Sequence, residues 1–437
     1  MNKIYRIIWS KTRNCYVVVS EIAKRNGKCS STLNKKIIAA FLAAGTVLSV
    51  TGGAWAAQLE DTYIKINATG EQSPASVLGA QHAIAIGENV EISGNGNERQ
   101  ADYSVGIGFS ATATGVNGVA LGKNATIAAS HAIGVGTGSL AEGMYSSVFG
   151  AYSDVSIDPA VTMTFGDDPD NPEKVSAMQG FGTTVLGSLN SSRTDVNKES
   201  NKDKKFISVA SSIIGTVNTA TDSNGTLIFG AGNEITDSYQ NVLFDEADMT
   251  VSELHEQYKA AVNSGDRAKM AEISAQLKKM VKVSGGQVMA MGGSNTASEA
   301  YRSQIMGVGN KLEGSMIKMI DPSTGAEIAA DADSTGFRVY DTQYDLLDGF
   351  ENKVSHSEHV SVIGTGNEVQ NSDGNIIIGD LHGISGGKNN VIIGSSTAAN
   401  DEVAVLEGFK AVQHNADIEN TVMLGYNTDA RVSKGVA

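Results

Sequence analysis

Three short stretches carry residue types that could do chemistry. Gly134-Val135-Gly136-Thr137-Gly138 is dense in glycine, as a loop cradling a phosphate would be. Such a loop must open directly onto a helix N-terminus, whose free N–H groups bind the anion. Here it is followed by Ser-Leu-Ala-Glu-Gly and has no Gly-Lys-Ser/Thr, so nucleotide binding is not expected. His356 and His359, with Glu358 between them, would suit a cation if carried on a helix. They lead into a strand-like phrase instead and read as surface histidines. Asp331, Asp333 and Asp341 lack the spacing of a calcium loop and read as a solvated segment. The expectation is no catalytic residue, no cofactor, no metal and no enzyme activity.

The glycines have a better explanation in a repeat. An apolar-x-apolar-Gly phrase, allowing small substitutions, ends at Gly87, Gly108, Gly122, Gly136, Gly150, Gly187, Gly215, Gly230, Gly292, Gly307, Gly364, Gly379, Gly394 and Gly425. The steps between neighbours are mostly 14 or 15 residues or a multiple of them. Two strands of about five residues and two tight turns fill such a period. Stacked coils then pair each strand with its copy one period on, giving parallel in-register sheets around a thin core. The expected fold is all-β, a parallel β-roll of 14–15-residue coils. A stricter corner, Gly-x-Gly-Asn-x-apolar, recurs at 230–235, 307–312 and 364–369. Asparagine tolerates left-handed backbone and bonds locally, so a stacked Asn ladder along one corner is expected.

Interruptions of the rhythm mark insertions. Residues 166–174, with Pro169 and Pro172, read as a loop, and the polar stretch 190–205 as an excursion from a corner. Residues 250–282 switch to helical spacing, with Val251, Leu254, Tyr258 and Ala261, then Met270, Ile273, Leu277 and Met280, on either side of Gly265-Asp266. Thr250-Val251-Ser252-Glu253 fits a capping box. The expectation is an inserted α-helical hairpin over 245–284. A further insertion over 315–353 forms a hairpin or an ordered loop.

The N-terminus is a targeting segment. Asn34-Lys35-Lys36 precedes an apolar run from Ile37 to Val50, and Ala54-Trp55-Ala56 is a small-x-small cleavage site. That order is a secretory signal, with cleavage expected after Ala56 or Ala57. Residues 1–56 hold both cysteines, Cys15 and Cys29, and carry a charge of +8. With −15 for the whole chain, −23 remains for the exported part. An acidic, cysteine-free chain forms no disulfide and is not expected to bind nucleic acid, which requires a basic stripe.

The region ahead of this signal resembles the extended signal peptide of large autotransporter and two-partner-secretion proteins of Gram-negative bacteria. The matching positions are Met1-Asn2-Lys3, Tyr5, Trp9, Val17-Val18-Val19-Ser20-Glu21, Ala23, Lys24, Gly27 and Lys28. Coils ending in Val-Ala-Leu-Gly or Ile-Ile-Ile-Gly resemble the heads of trimeric autotransporter adhesins of the YadA-like type. That resemblance implies a left-handed roll, a homotrimer, the cell surface or outer membrane as destination, and adhesion to matrix, host cells or other bacteria. It also implies a stalk and membrane anchor, which are not found between residues 57 and 437. The last phrase breaks off at Val436-Ala437, so a longer chain is expected. The collagen-associated phrase of some such heads is absent verbatim; Asn117–Gly122 and Asn390–Gly394 come nearest. The resulting organisation is an extended signal peptide over 1–56, a first roll segment over 57–244, the helical insertion, and a second roll segment over 285–437. Partner contacts are expected at aromatics on polar half-coils or loops: Tyr103, Phe109, Tyr145, Tyr152 and Tyr239. The alternative, a secreted polysaccharide-acting enzyme on a parallel β-helix, would need wider coils and an acidic cluster on one face.

Overall fold

The computed structural model describes residues 5–10, 15–20, 75–93, 101–157, 179–198, 207–240, 251–321, 324–328, 336–396 and 411–437. Met1–Asn67 and Ala68–Ala437 form two compact units. In the first, Tyr5–Ser10 and Cys15–Ser20 pair as an antiparallel hairpin. The expected cleavage positions Ala56 and Ala57 lie outside the described residues.

The second unit is a mostly β solenoid built on two parallel sheets, each of 15 strands among the described residues. Successive strands alternate between the sheets, so each coil contributes one strand to each. The first sheet holds the glycine phrases, from Ile84–Ile86 to Val422–Leu424, and the second runs from Ser76–Leu78 to Val412–Gln413. Pairing follows the repeat: Ala120 faces Gly134, Gly134 faces Val148, and Val148 faces Val185.

Inward and outward residues alternate along each phrase. The middle residue of each phrase enters the core, as Ala120, Val148, Val185, Ile213, Ile228, Ile305 and Ile392 do. The apolar flanks that make the phrase recognisable point out. In the second sheet the inward residues are Ala113, Ile127, Ala141, Val155, Ala220, Ile235, Leu312, Val354, Val369 and Ile384. The core is therefore one side chain deep from each sheet, which suits a coil of 14 or 15 residues.

The phrase glycines hold positive φ, for example 138° at Gly122 and 140° at Gly230. A Cβ on Gly230 would sit 1.8 Å from the carbonyl oxygen of Gly292 in the next coil. Both the conformation and the coil spacing demand glycine.

The Asn ladder is present and longer than the three corners suggested. The Nδ2 of Asn218 donates to Oδ1 of Asn190 (3.0 Å), Asn233 to Asn218 (3.0 Å), Asn295 to Asn233 (2.9 Å) and Asn310 to Asn295 (3.0 Å). Asn352 and Asn367 extend it. Each Nδ2 also reaches a phrase glycine's carbonyl, as Asn233 does at Gly292 (3.0 Å). The backbone N–H of the next rung shares the same Oδ1. The general signal is an asparagine three residues after the phrase glycine.

Insertions leave the stacking intact. Gly230 pairs with Gly292 across the helical segment, and Gly307 with Gly349 across the next one. The helices span Val251–Ser264 and Arg267–Ser284, broken at Gly265-Asp266, and Asp266 accepts the Lys269 N–H as an N-cap. Thr250 of the expected capping box lies outside the described residues, while Ala261 and Ile273 of the two expected stripes are buried. The segment 315–353, expected as one insertion, is two things. Met316–Ile320, Glu327–Ile328 and Phe337–Tyr340 form a small antiparallel sheet, whereas Leu346–Phe350 and Lys353–Ser355 are a regular coil. The overlooked phrase is Leu346-Leu347-Asp348-Gly349. Its third position is polar, which an outward residue tolerates. Likewise 190–205 is no excursion at its start: Asn190 is a rung and Ser191–Arg193 a strand of the second sheet.

Candidate functional site

The two sheets present opposite chemistry to the outside. On the first, the outward flanks include Leu186, Phe229, Ile363, Ile378, Ile393 and Leu424, and Val308 and Phe350 follow their phrase glycines on the same sheet; Phe229 is 53% exposed and Phe350 55%. At the ordinary spacing between strands, 15 strands extend this stripe, whose third-position row is apolar except at Asp348, to roughly 65–70 Å. A monomeric soluble protein seldom leaves such a contiguous patch uncovered.

The outward residues of the second sheet are mostly polar, including Thr112, Thr126, Thr219, Thr221, Glu234, Lys311, Lys353 and Glu368. Lys311 and Glu313 pair at 2.5 Å, and this bond holds the Glu313 carboxyl below its ordinary range. Asp154 accepts from Ser156 and Ser191 (both 2.9 Å), and burial pushes its carboxyl up.

A turn between the sheets forms a ridge of planar side chains at left-handed backbone. His82, Tyr103, Asn117, His131 and Tyr145 all have φ between 54° and 60°. His82 stacks on Tyr103 with centroids 5.1 Å apart, and His131 on Tyr145 at 4.9 Å. Asn117 Nδ2 lies 3.0 Å from His131 Nε2. Positive φ in non-glycine residues is uncommon, so the recurrence reflects the corner rather than any one residue.

The five aromatics expected to meet a partner separate accordingly. Tyr103 and Tyr152 are well exposed at corners, and Phe109 is exposed beneath the Lys123 ammonium (5.8 Å). Tyr145 is half-buried, packed between His131 and Phe181. Tyr239 is buried, which overturns its reading as a contact residue. Arg338 of the small antiparallel sheet lies 4.1 Å from its ring centroid, and Tyr340 Oη donates to its carbonyl at 2.6 Å. Burial pushes the Tyr340 phenol up to about 12, so it remains a donor. Gln240 completes the dock, Nε2 donating to Arg338 O (2.9 Å) and Oε1 accepting from Arg338 N (2.6 Å). A tyrosine beside a corner belongs to the insertion's seat when an insertion follows, a distinction invisible in the local sequence.

The residues considered for chemistry are placed apart. His356 Nδ1 contacts Asp341 at 2.8 Å, and His359 stacks on Tyr344 with its Nδ1 3.5 Å from Asp373. Asp331 and Asp333 lie outside the described residues. Gly134 and Gly136 belong to a strand and its corner, not to a loop ahead of a helix. Among the described residues no three His, Cys, Asp or Glu side chains are grouped to hold a metal.

Two buried ionisable groups escaped the sequence reading. Asp345 accepts the Val360 N–H through Oδ1 (2.8 Å), while its Oδ2 is buried without a hydrogen-bond partner. Burial pushes this carboxyl up to about 8. His382 takes the Asn place in the ladder, its N–H donating to Asn367 Oδ1 (2.9 Å). A histidine three residues after a phrase glycine was its only signal.

No curated protein matches the chain. Residues 1–50 match the family model for the extended signal peptide of the type V secretion system. The molecule thus joins a type V export signal, which supports an autotransporter, to a parallel β solenoid with one apolar and one polar outer face.

Proposed function

We infer that this chain is the head of a trimeric autotransporter adhesin of the YadA-like type, displayed at the surface of a Gram-negative bacterium. The observation that carries the reading is the uncovered apolar stripe on the first sheet. Three copies of a left-handed roll, packed through this face around a threefold axis, would remove it from water. The polar sheet and the ridge of His82, Tyr103 and Asn117 would then face outward on every copy. Weak contacts presented three times gain avidity without new chemistry, so ligands on host matrix, host cells or other bacteria suit a shallow polar surface. The role is binding, without catalysis or cofactor, and membrane attachment would come from a stalk and anchor.

Sedimentation of the chain tests the assembly. A mass of three chains is expected, falling to one in the Phe229→Ser/Phe350→Ser double variant with its circular dichroism unchanged. A β-rich monomer at micromolar concentration for the parent chain would refute the trimer. Binding to immobilised matrix proteins and to partner bacteria tests adhesion. Equal retention of the trimer and the monomeric variant would remove the role given to avidity.

A further inference from the structure

His382, fully buried where the Asn ladder ends, belongs to a chain of contacts that two neutral imidazoles cannot satisfy. Its Nε2 lies 2.7 Å from the carbonyl oxygen of Gly394. Its Nδ1 lies 3.0 Å from His414 Nε2 and 3.2 Å from Ser396 Oγ. His414 Nδ1 lies 3.0 Å from Asp429 Oδ1. A carbonyl only accepts, so His382 Nε2 carries a hydrogen. An ionised carboxylate only accepts, so His414 Nδ1 carries one too. A neutral pair owns two N–H groups, and both are now used. The two nitrogens that face each other would then be opposed lone pairs.

A third proton resolves the conflict. The ring centroids are 5.3 Å apart with planes 23° from parallel. This separation exceeds the nitrogen–nitrogen distance by about one ring width, so the rings meet edge to edge. A hydrogen on one nitrogen then points along the lone pair of the other. The Ser396 hydroxyl can serve His382 Nδ1 but leaves His414 Nε2 opposed. Moving the extra proton onto Asp429 leaves the count unchanged.

The geometry points to a proton-dependent latch in which His382 and His414 share one extra proton, balanced by Asp429, and so hold the last coils together. Burial lowers the pKa of His382, and the neighbouring His414 lowers it further, countered in part by the Gly394 carbonyl and Asp380. The other charged groups nearby are accounted for. Asp380 accepts from Thr365 N (2.8 Å) and Ser395 Oγ (3.0 Å), and Glu368 meets Gln413 (3.4 Å). Asp429 is half exposed while the His414 side chain is buried, so the carboxylate gives the proton its way to water.

The pH dependence follows from counting protons. In the opened state both histidines titrate near the ordinary value, about 6.5. Well below it the opened state binds two extra protons and the closed state one, so acid favours opening. Above it the opened state binds none, so rising pH favours opening until the closed pair gives up its proton. Protection therefore peaks near the ordinary histidine pKa and falls on each side by at most about tenfold per pH unit.

Amide hydrogen exchange of the full chain, read on peptides covering 382–396 and 411–429 from pH 5 to 9, tests the latch. Peptides covering 212–236 serve as the control. The expected result is a protection maximum near neutrality in the first two regions only, with a loss of up to about tenfold from pH 7 to 8. Asp429→Asn gives the sharpest variant. Its amide can donate to His414 Nδ1, supplying the missing hydrogen without charge, so the alkaline loss should vanish. His382→Asn continues the ladder and should flatten the profile on both sides while the coils stay closed. A flat parent profile, or one unchanged by both variants, would overturn the latch. So would alkaline protection that appears with zinc chloride and disappears with EDTA, since a metal ion would then separate the nitrogens.

Discussion

The coils of 101–157 and those of 207–394 solve the same packing problem with different materials. The first group repeats every 14 residues and fills its core largely with alanine: Ala111, Ala113, Ala120, Ala125, Ala129, Ala132 and Ala141 are all buried. The second repeats mostly every 15 and uses Ile213, Ile228, Ile235, Ile305, Leu312 and Leu347. At the corner after the phrase glycine the residue passes from Ala111 and Ala125 through Ser139 and Ser153 to the Asn rungs, and ends at His382. Ser153 already does half of a rung's work, accepting the Asn190 N–H (3.1 Å) and donating to Gly187 O (3.0 Å). A small core needs little at the corner, whereas larger coils gain a buried polar spine whose members satisfy one another.

Six substitutions probe this contrast. The largest effect should come from what the two groups share. Gly230→Val and Gly122→Val each drive a Cβ into the next coil's backbone, and each should cost more than about 4 kcal/mol in thermal unfolding. A mild effect at Gly122 would mean that the 14-residue coils are looser. Next, Asn295→Ala removes the donor to Asn233 and Gly307 and the acceptor for Asn310, with an expected loss of about 2–4 kcal/mol by urea unfolding. Ser139→Ala, which loses one 3.2 Å bond to Gly136 O, should cost about 1 kcal/mol or less. Equal costs would dissolve the distinction.

The next change should stabilise. Asp345 has a folded pKa of about 8, above its unfolded value. Its protonated form therefore supports the fold at acid pH, and that support is lost as pH rises towards 8. Asp345→Asn keeps the acceptor and resembles Asn375 and Asn390, which bond to each other two coils on (3.0 Å). Its advantage should grow from near nothing at pH 4 to about 1–3 kcal/mol at pH 8. An advantage independent of pH would count against a carboxyl neutralised by burial. The smallest effect tests the transition itself. Ser153→Asn should lengthen the ladder by one rung and gain about 0.5–1 kcal/mol, whereas a loss would show that the corner there is too tight.

The repeat was legible because glycine at the corner is enforced twice, by φ and by the next coil's carbonyl, so it survives at nearly every turn. The coil at 346–355 was missed because Asp348 occupies an outward position of the phrase, where a polar side chain leaves the core of the roll undisturbed. The facing of the strands was harder for a related reason. Val119 and Leu121 look like core residues, yet the inward place belongs to small, unremarkable Ala120. Tyr239 and His382 could not be placed from sequence because their environments come from segments far along the chain. Arg338 and Tyr340 are about a hundred residues from Tyr239, and Asp429 arrives from two turns later.

Most of the long interruptions of the repeat share a place of exit; the stretch between Ser396 and Ala411 instead separates a first-sheet strand from the second-sheet strand of the same coil. Those beginning after Ser93, Ser156, Lys198, Gln240 and Glu313 all follow a strand of the second sheet, and the coil closes again with the next phrase in register. Growth at that seam leaves the neighbouring strands paired as before. Variation in what the molecule displays is thereby uncoupled from what it stacks. A foreign segment spliced in after Ser355 or Gln370, where the turn is still short, should be carried without disturbing either face.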